Sequence, residues 1–359
     1  MPESKEYKYT MDDLSRMQAW PLSRKIQVTQ TRLMEWKMKF KGQIYISFSG
    51  GKDSTVLADL AARIYAADQK LNPDKSDPLT LVFVNTGLEY PEIQKFTKKF
   101  AEWLRTTYES PVNLETRTPE MTFPEVLSKY GYPVIGKEVA KTVYYARRGS
   151  GWAVKRLEGL NKHGEKDSFK ERYIKYAFLS AAPFESSHLC CDVMKKGPAK
   201  AYEKETGRKP VVATMTEESE QRQDSWLRYG CNSFDGDRPM SKPMSFWTEQ
   251  DVLQYLKMTG IPLAPVYGEI VNADGQINLF EEEEPQKLKT TGCDRTGCMY
   301  CMFGVMSDKY PNRFQRMRQT HPRQYAYCIG GGHYENGILK PDKTGLGLGV
   351  ILDYIGKPY

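Results

Sequence analysis

Long hydrophobic runs are missing from this 359-residue sequence. No stretch approaches the roughly 18 uncharged apolar residues that a membrane-spanning helix needs, so we expect no membrane partner. The opening residues, MPESKEYKYT, also lack the apolar region of a secretory signal. Both absences lead us to expect a cytoplasmic protein.

Histidine is scarce, with 4 residues in the whole chain. None has a partner at the spacing of a metal-binding pair, and we interpret each of them as structural. His188 alone stands near another candidate ligand, because a pair of cysteines follows two residues later. A metal site built on histidine is therefore not predicted.

The composition is that of a globular protein, with 40% hydrophobic and 27% charged residues. Short apolar segments rich in β-branched residues alternate with amphipathic helical patterns, which indicates an α/β fold. We predict a doubly wound, mainly parallel sheet with helices on both faces. The predicted strands are QIYISF (43–48), LTLVFV (79–84), PVNLE (111–115) and PVVATM (210–215).

A glycine-rich turn follows the first predicted strand, in the sequence ISFSGGKDSTVLADLAARI. In open α/β sheets, ligands bind at this carboxyl end of a strand. Gly50 and Gly51 let the backbone approach a ligand, and the helix that follows supplies unpaired amide groups and a positive dipole end, which suit phosphate. The side chains offered to a phosphate are those of Ser49, Lys52 and Ser54.

The spacing of this turn differs from that of two other phosphate-binding motifs. The Walker motif G-x-x-x-x-G-K-[ST] needs more residues between its first glycine and its lysine, and G-x-G-x-x-G orders its glycines differently. An ordinary strand-to-helix turn does not call for two glycines, a lysine and two serines together. Asp53 has two open interpretations, a helix cap or a ligand, and a cap is the commoner use.

Positive charge is concentrated between residues 141 and 178, where 10 Lys and Arg residues accompany 4 acidic ones. Aromatic residues are interleaved with them, namely Tyr144, Tyr145, Trp152, Phe169, Tyr173 and Tyr176. Two interpretations stay open for this segment. It is either a solvated helical face over buried aromatics or a nucleic-acid surface that uses cations for phosphates and rings for stacking.

The 7 cysteines are clustered. Cys190 and Cys191 are adjacent, and Cys293, Cys298 and Cys301 form a C-x4-C-x2-C motif. The cytosol keeps thiols reduced, so such clusters favour a metal site over disulfides. Thiolates at this spacing suit zinc or a [4Fe–4S] cluster. Five cysteines compete for four positions, and the spacing selects neither the metal nor the four ligands.

These patterns predict three segments. Residues 1–42 carry a helical pattern and are predicted to form a helical lead-in. Residues 43–260 are predicted to form a nucleotide-binding α/β domain with a basic helical insertion at about 141–178. From residue 261 onward glycine, proline and cysteine become frequent, so 261–359 is predicted to be a cysteine-rich, metal-binding segment.

The turn SGGKDS (49–54) resembles the PP-loop of ATP pyrophosphatases, a superfamily that is adenine nucleotide alpha-hydrolase-like. Four further segments resemble the phosphoadenosine phosphosulfate reductase family within it. They are VNTGLEYPE (84–92), YGYPVIGKE (130–138), PMSFWTEQDVLQYLKMTGIPLAPVYG (243–268) and the cysteine pair ahead of KKGP (195–198). Together these segments span most of residues 40 to 305.

The resemblance implies a nucleotide site. Its cofactor-binding residues are Ser49, Gly50, Gly51, Lys52, Asp53, Ser54, Asn85, Thr86, Gly87, Glu218 and Arg222, of which Lys52 and Ser54 are also the implied catalytic contacts to phosphate. The family carries a Gly-x-Arg-x-x-Glu-Ser-x-x-Arg motif, which Glu218, Ser219 and Arg222 match. Met215 stands where the family has its first arginine, which weakens the predicted anion site.

The cysteine pattern resembles an iron–sulfur branch of that family, related to DNA phosphorothioation and tRNA thiolation proteins. There a cysteine pair and a CxxC share one cubane, so the resemblance favours a [4Fe–4S] cluster, with zinc as the alternative. A second set, Cys293, Cys298 and Cys301 with one of the pair, also stays open. Cys328 is a candidate catalytic nucleophile, because assimilatory reductases use a late cysteine, although theirs stands in a Glu-Cys-Gly-x-His motif that this chain lacks.

Three functions remain open. In the one that we favour, an enzyme uses ATP and Mg²⁺ to adenylate an acceptor, with release of pyrophosphate, and a sulfur donor such as a partner protein then displaces AMP. A nucleic acid that binds the basic aromatic segment is one candidate acceptor. The second function is a sulfonucleotide reductase that makes sulfite from adenosine phosphosulfate or its 3′-phosphorylated form. The third is a subunit of a modification or defence system that binds nucleotide and cluster without catalysis.

Overall fold

The computed structural model describes residues 7–73, 77–236, 238–273 and 287–359. The run of glutamates at 281–284, which the sequence predicts to be a solvated loop, lies outside these ranges. Contacts between Cα atoms divide the chain into two compact units. The first unit comprises Met1–Asn85, Glu89–Arg117 and Ala199–Thr296, and the second comprises Thr86–Leu88, Thr118–Pro198 and Gly297–Tyr359. The three predicted segments stay a prediction.

The strands, in chain order, are β1 (Ile44–Ser47), β2 (Leu79–Val84), β3 (Val112–Arg117), β4 (Lys209–Val211), β5 (Asn232–Ser233), β6 (Met240–Ser241), β7 (Ile270–Asn272), β8 (Leu288–Thr290), β9 (His333–Glu335) and β10 (Ile338–Lys340). The α-helices are α1 (Met11–Gln18), α2 (Leu22–Lys39), α3 (Lys52–Leu71), α4 (Pro91–Tyr108), α5 (Phe123–Tyr130), α6 (Lys137–Ala146), α7 (Gly151–Leu157), α8 (Ser168–Glu171), α9 (Gly197–Thr206), α10 (Glu220–Tyr229), α11 (Glu249–Thr259), α12 (Met302–Val305), α13 (Arg313–Thr320), α14 (Pro322–Ile329) and α15 (Leu348–Tyr354). Short 3-10 helices cover Ile174–Ala181, Thr216–Glu218 and Pro265–Tyr267, and a π-helical turn covers Asp192–Lys196.

The first unit is built on a sheet with the strand order β3-β2-β1-β4-β6-β5. All neighbouring pairs in it are parallel except β5 and β6, which are antiparallel. The predicted strands at 43–48, 79–84 and 111–115 coincide with β1, β2 and β3, whereas β4 ends at Val211, four residues before the predicted end. The predicted α/β fold with a mainly parallel sheet is confirmed. The chain moves outward from β1 to β3 and then returns to the other side of β1 with β4. The strand order therefore reverses beside β1, the position at which open α/β sheets bind ligands.

Burial explains why these segments form the sheet. Ile44, Tyr45 and Ile46 of β1 are buried without alternation, as expected for a parallel strand that is covered on both faces. The apolar stripe of α3, including Val56, Leu57, Leu60 and Ala61, is also buried. This packing fixes where β1 ends and α3 begins, and so it fixes the turn between them.

The second unit joins a middle stretch of the chain to its C-terminal stretch. The Tyr132 hydroxyl donates a hydrogen bond to the Leu346 carbonyl at 2.8 Å, and the Leu339 amide donates to the Pro183 carbonyl at 2.8 Å. The basic segment at 141–178 lies in this unit, on α6, α7, α8 and the 3-10 helix that follows. In the described parts of the chain, no helix is both long and apolar enough to cross a membrane.

Candidate functional site

The glycine turn lies between β1 and α3. Gly51 is the cap residue of α3 and has an extended backbone, and among the described residues no side chain caps this end of the helix. The Lys52 amide instead donates a hydrogen bond to the Tyr267 hydroxyl at 3.1 Å. The start of α3 thus presents amide groups and a positive dipole end, the arrangement that binds anions.

Both glycines of the turn meet a steric requirement. Gly50 has a φ of +71°, a left-handed conformation that other residues rarely adopt. A Cβ at this position would also lie 3.0 Å from methyl groups of Ile93 and Thr97. At Gly51, a Cβ would lie 3.3 Å from the Tyr267 hydroxyl and would narrow the space before the helix.

Two serines stabilise the turn. The Oγ atoms of Ser49 and Ser54 lie 3.0 Å apart, and the Gly51 amide donates to Ser49 Oγ at 3.3 Å. Ser54 Oγ donates to the Gly51 carbonyl at 2.9 Å. The two hydroxyl groups that were predicted to contact phosphate are therefore brought together.

Lys52 is buried and has two partners in the first unit. Its Nζ lies 2.5 Å from Glu249 Oε1 and 2.5 Å from the main-chain oxygen of Asp294. The lysine side chain is 4% exposed, whereas the Glu249 side chain is 40% exposed. A phosphate that binds Lys52 would therefore compete for the lysine charge with the Glu249 carboxylate, the more exposed of the two partners.

The position of Glu249 is set by the start of α11. Thr248 caps this helix in a reciprocal capping box with Asp251. Asp251 Oδ2 also accepts a hydrogen bond from Lys25 Nζ at 2.6 Å, and this ion pair is buried. Glu249, the first residue of α11, consequently has a fixed backbone and a side chain that reaches Lys52.

Asp53 has the most unusual charge environment of the turn. Its Oδ1 atom is buried and has no hydrogen-bond partner among the described residues. Burial raises the pKa of Asp53 above its ordinary value, and Lys52, Arg295 and Arg222 act in the opposite direction without cancelling that rise. Because Gly51 holds the cap position, the structure does not use Asp53 as the cap. A buried carboxylate oxygen without a partner fits a magnesium ligand.

A group of cations surrounds Asp53 in the first unit. Burial lowers the pKa of Arg222, and the neighbouring charge of Arg295 adds to the effect. Burial also lowers the pKa of Lys242, with a further contribution from Arg222. Arg222 pairs with Glu218, so these two predicted residues are brought together. Cations that destabilise one another in this way favour the binding of an anion.

The residues after β2 are divided between the units. Asn85 belongs to the first unit, and its Oδ1 accepts a hydrogen bond from Gln94 at 3.3 Å. Thr86 and Gly87 belong to the second unit. Gly87 has a φ of +75°, and a Cβ added there would meet no atom of the described residues within 4 Å. Gly87 therefore borders open space.

Four of the five clustered cysteines lie in the second unit, and Cys293 lies in the first. Burial raises the pKa of the Cys190 thiol, and the neighbouring thiols of Cys191, Cys298 and Cys301 raise it further. Burial likewise raises the pKa of Cys191, again with a contribution from Cys301. The cysteine pair and the CxxC motif, which are about a hundred residues apart in the sequence, are thus neighbours in space.

None of the seven cysteines forms a disulfide in the described part of the chain. Across the described residues, no three His, Cys, Asp or Glu side chains are arranged as ligands of a metal ion. Four neighbouring thiols nevertheless supply the number and kind of donors that a [4Fe–4S] cluster takes. The cysteine quartet, defined here as Cys190, Cys191, Cys298 and Cys301, therefore fits the cluster in donor chemistry.

Cys328 lies on α14 in the second unit and is fully buried. Burial raises its pKa well above the ordinary value. A cysteine nucleophile needs a thiolate and access to its substrate. The surroundings of Cys328 therefore favour a packing role.

Comparison with known proteins places this site in a family. The model of the phosphoadenosine phosphosulfate reductase domain matches residues 43–147 and 152–303, well over half of the chain. The chain belongs to this family. The matched residues of this chain include the glycine turn, α11, the cysteine pair and the CxxC motif. Cys328 lies beyond the matched residues.

Curated relatives of this phosphoadenosine phosphosulfate reductase domain include several named sulfate adenylyltransferase subunit 2. The one from Colwellia psychrerythraea is 24% identical over 293 residues, which are 76% of this chain and 81% of the relative. The one from Sulfurimonas denitrificans is 23% identical over 267 residues, 68% of this chain and 72% of the relative. The one from Burkholderia lata is 26% identical over 151 residues, and the chain spans about half of its length (51%). By their names, these relatives are subunits of an enzyme.

Sequence reasoning missed Arg295, Glu249 and Tyr267 in this family site. The charge of Arg295 lowers the pKa of Arg222 and opposes the rise in the pKa of Asp53. The residues on either side of Arg295 contact Lys52 and Tyr267. The Asp294 carbonyl accepts from Lys52, and Thr296 Oγ1 lies 3.0 Å from the Tyr267 hydroxyl. The only sequence signal for Arg295 is a positive charge inside the C-x4-C motif.

Proposed function

We propose that this protein is an adenylating PP-loop enzyme that binds ATP at the Ser49–Ser54 turn and activates an acceptor for sulfur transfer. The observation that supports this best is the cation group around Asp53, beside an uncapped start of α3. A triphosphate carries the charge that such a group requires. Arg295 takes over the part of the family's first arginine, which is Met215 in this chain.

The proposed reaction transfers an adenylyl group. An acceptor oxygen forms a bond to the α-phosphorus of ATP while the bond to the bridging oxygen breaks, and pyrophosphate leaves with the electron pair. The amide groups at the start of α3, together with Lys52, Arg222 and Arg295, stabilise the charge on the departing pyrophosphate. A thiolate or hydrosulfide then forms a bond at the activated atom and AMP leaves.

The residues of the loop divide this work. Lys52 exchanges the Glu249 carboxylate for a phosphate oxygen, and Ser49 and Ser54 donate hydrogen bonds from one side. Asp53 would hold Mg²⁺ through its unpaired Oδ1, where the ion neutralises phosphate charge. Burial holds Lys52 at one position, so little reorganisation is required when charge develops.

The cysteine quartet would hold a [4Fe–4S] cluster. When bound, such a cluster supplies a redox-active centre next to which sulfur is handled. The proposed set leaves out Cys293 because the thiols that act on Cys190 are those of Cys191, Cys298 and Cys301. A cytoplasmic location follows from this proposal, since an oxidising compartment would convert such clustered thiols to disulfides.

Adenylation is also the reaction that the relatives' names describe, since a sulfate adenylyltransferase transfers an adenylyl group to sulfate. The family description favours a second candidate, a sulfonucleotide reductase. That candidate needs an accessible thiolate, and burial of Cys328 weakens it. We therefore rank adenylation first.

The test measures nucleotide turnover by anaerobically purified protein. Labelled ATP and labelled adenosine phosphosulfate are supplied separately, each with sulfate, bulk tRNA, DNA or no acceptor. The variant is Lys52→Met, which keeps the buried apolar stem, and the control is Lys98→Met on the exposed face of α4. We expect acceptor-dependent release of pyrophosphate, reduced about 10²-fold or more in Lys52→Met and unchanged in Lys98→Met.

Two outcomes would overturn the proposal. Sulfite from adenosine phosphosulfate, without pyrophosphate from ATP, would establish the reductase. ATP binding without either product, with every acceptor, would establish a subunit that binds nucleotide without catalysis.

A further inference from the structure

The second unit exposes large aromatic side chains beside cations, on a surface that we call the α6–α8 surface. Its members are Tyr145, Arg148, Trp152, Phe169, Arg172 and Lys175. Phe169 is 56% exposed, Trp152 43% and Tyr145 36%. Side chains of this size are usually buried, and three that are exposed on neighbouring elements indicate a surface used for binding.

The cations of this surface lie against ring faces. The Arg172 guanidinium carbon lies 3.8 Å from the centre of the Phe169 ring, and that of Arg148 lies 3.6 Å from the centre of the Tyr144 ring. In the described ranges, neither Arg172 nor Lys175 forms an ion pair with an acidic side chain. Both charges therefore remain for a partner, and the surrounding segment has an excess of positive charge.

A small surface pocket supports the same assignment. It is lined by Val139, Arg172, Tyr173, Lys175 and Tyr176. Tyr173 is buried, so the two cations and Tyr176 are the groups around this depression that suit a phosphate with a base beside it. An acidic peptide would use the cations, but it would leave the exposed rings without a partner.

A line of rings connects this surface with the cysteine quartet inside the second unit. The ring centres of Trp152 and Tyr145 are 5.7 Å apart, and those of Tyr145 and His188 are 5.9 Å apart. His188 stands two residues before Cys190. A strand that stacks on Trp152 and Tyr145 would therefore lie next to the ring that precedes the cysteine pair, His188.

We propose that the α6–α8 surface binds single-stranded nucleic acid and that this nucleic acid is the acceptor of the adenylation reaction. The role as acceptor rests on the proposed function, whereas the binding does not. Exposed rings select single strands because the bases of a duplex are stacked on one another and cannot reach a side-chain ring. Arg172 and Lys175 contact phosphates, which carry no sequence information, whereas Arg148 is paired with Glu185.

The test is fluorescence anisotropy of the full chain with labelled single-stranded RNA, single-stranded DNA and duplex DNA over a series of salt concentrations. One variant is Trp152→Ala with Phe169→Ala, and a second is Arg172→Glu with Lys175→Glu. The control is Lys98→Glu with Lys99→Glu, which makes the same charge change on exposed positions of α4. Thermal unfolding by circular dichroism checks that each variant is folded.

We expect the single strand to bind more tightly than the duplex. Removal of the two rings should weaken binding about 10-fold or more per ring. The Arg172 and Lys175 reversal should make the slope of log K against log salt shallower by about 1.4, since each phosphate contact contributes about 0.7 for single strands. The control should bind with the parental affinity and slope.

Equal effects of the control and of the surface variants would overturn the inference, as would duplex binding at least as tight as single-strand binding. Failure of the two proposals is distinguishable. If sulfate supports pyrophosphate release while no oligonucleotide binds, this inference fails alone. If the single strand binds through the α6–α8 surface while ATP is not turned over, the proposed function fails, and binding by this surface stands.

Discussion

The Lys52–Glu249 ion pair yields a prediction about nucleotide affinity. In this structure Lys52 forms an ion pair with a carboxylate that competes with a phosphate for the lysine charge, so Glu249→Gln should tighten ATP binding. Exposed ion pairs contribute about 0.2–1 kcal/mol, and loss of one partner from a buried pair costs about 3–5 kcal/mol. Here one side chain is 4% exposed and the other 40%.

Because Glu249 is partly exposed, the energy of this ion pair should lie nearer the range of exposed pairs than that of buried pairs. Glutamine also keeps one acceptor oxygen for Lys52. About 1 kcal/mol of competition should therefore be removed, which corresponds to about a five-fold lower Kd for ATP. The assay is isothermal titration with a non-hydrolysable ATP analogue at fixed Mg²⁺ and ionic strength. The matched control is Glu220→Gln, which removes the same charge from the first turn of α10 and should leave Kd unchanged.

A ten-fold or greater loss of affinity in Glu249→Gln would refute this reasoning. It would mean that Glu249 contributes to the bound state instead of competing with the phosphate. An unchanged Kd would show that the pair has no net effect on binding.

Three further predictions concern the loop and the cysteines. Gly50→Ala should lower the free energy of unfolding by about 1–3 kcal/mol because of the left-handed φ, and by more because the new Cβ would lie 3.0 Å from Ile93 and Thr97. Urea unfolding should show a smaller loss for the control Gly207→Ala, where φ is +73° and the space is open. Equal losses would contradict steric crowding at Gly50. Asp53 has a raised pKa in the folded state, so its ionisation destabilises the fold as pH rises from the unfolded value of 3.8. Asp53→Asn should therefore unfold at higher urea than the parent at pH 7, the gain in stability should vanish below pH 3.8, and Mg²⁺–ATP affinity should fall. A gain in stability that persists at low pH would exclude ionisation as the cause. Iron content and visible absorbance after anaerobic purification should show that Cys298→Ser has lost most of its iron and that Cys293→Ser has kept it. The reverse result would show that the cysteine quartet is misassigned.

The sequence was most informative about local structure. β1 and β2 could be predicted because each is a run of buried apolar residues next to a helical pattern. β3 and β4 gave a weaker signal, since Val112 is the one buried residue of β3 and β4 has three residues. The glycine turn could be predicted because the demands on Gly50 and Gly51 are local. β5 and β6 have two residues each, too few for any periodicity. Their positions in the sheet depend on long-range pairing that no short window of sequence contains.

The candidate site was predicted only where its residues belong to a recognisable motif. Lys52 and Asp294 are 242 positions apart, and the composition of the C-x4-C motif does not reveal that its main chain would accept a hydrogen bond from the loop lysine. Arg295 was missed for the same reason. Met215 was interpreted as a missing arginine of the family motif, and only the folded chain shows that another cation, Arg295, acts on Asp53 and Arg222.

The second unit is assembled from stretches that are made at different times. Its buried residues Tyr132 and Phe184 contact a C-terminal stretch, Tyr132 through the Leu346 carbonyl and Phe184 through the Tyr354 ring. At about 5–20 residues per second of synthesis, the C-terminal stretch emerges roughly 10–30 seconds after residue 198. Throughout that interval the nascent chain exposes an incomplete apolar core. Chains that end before the last helix should consequently be bound by chaperones or aggregate, even though every residue of the glycine turn has already been made.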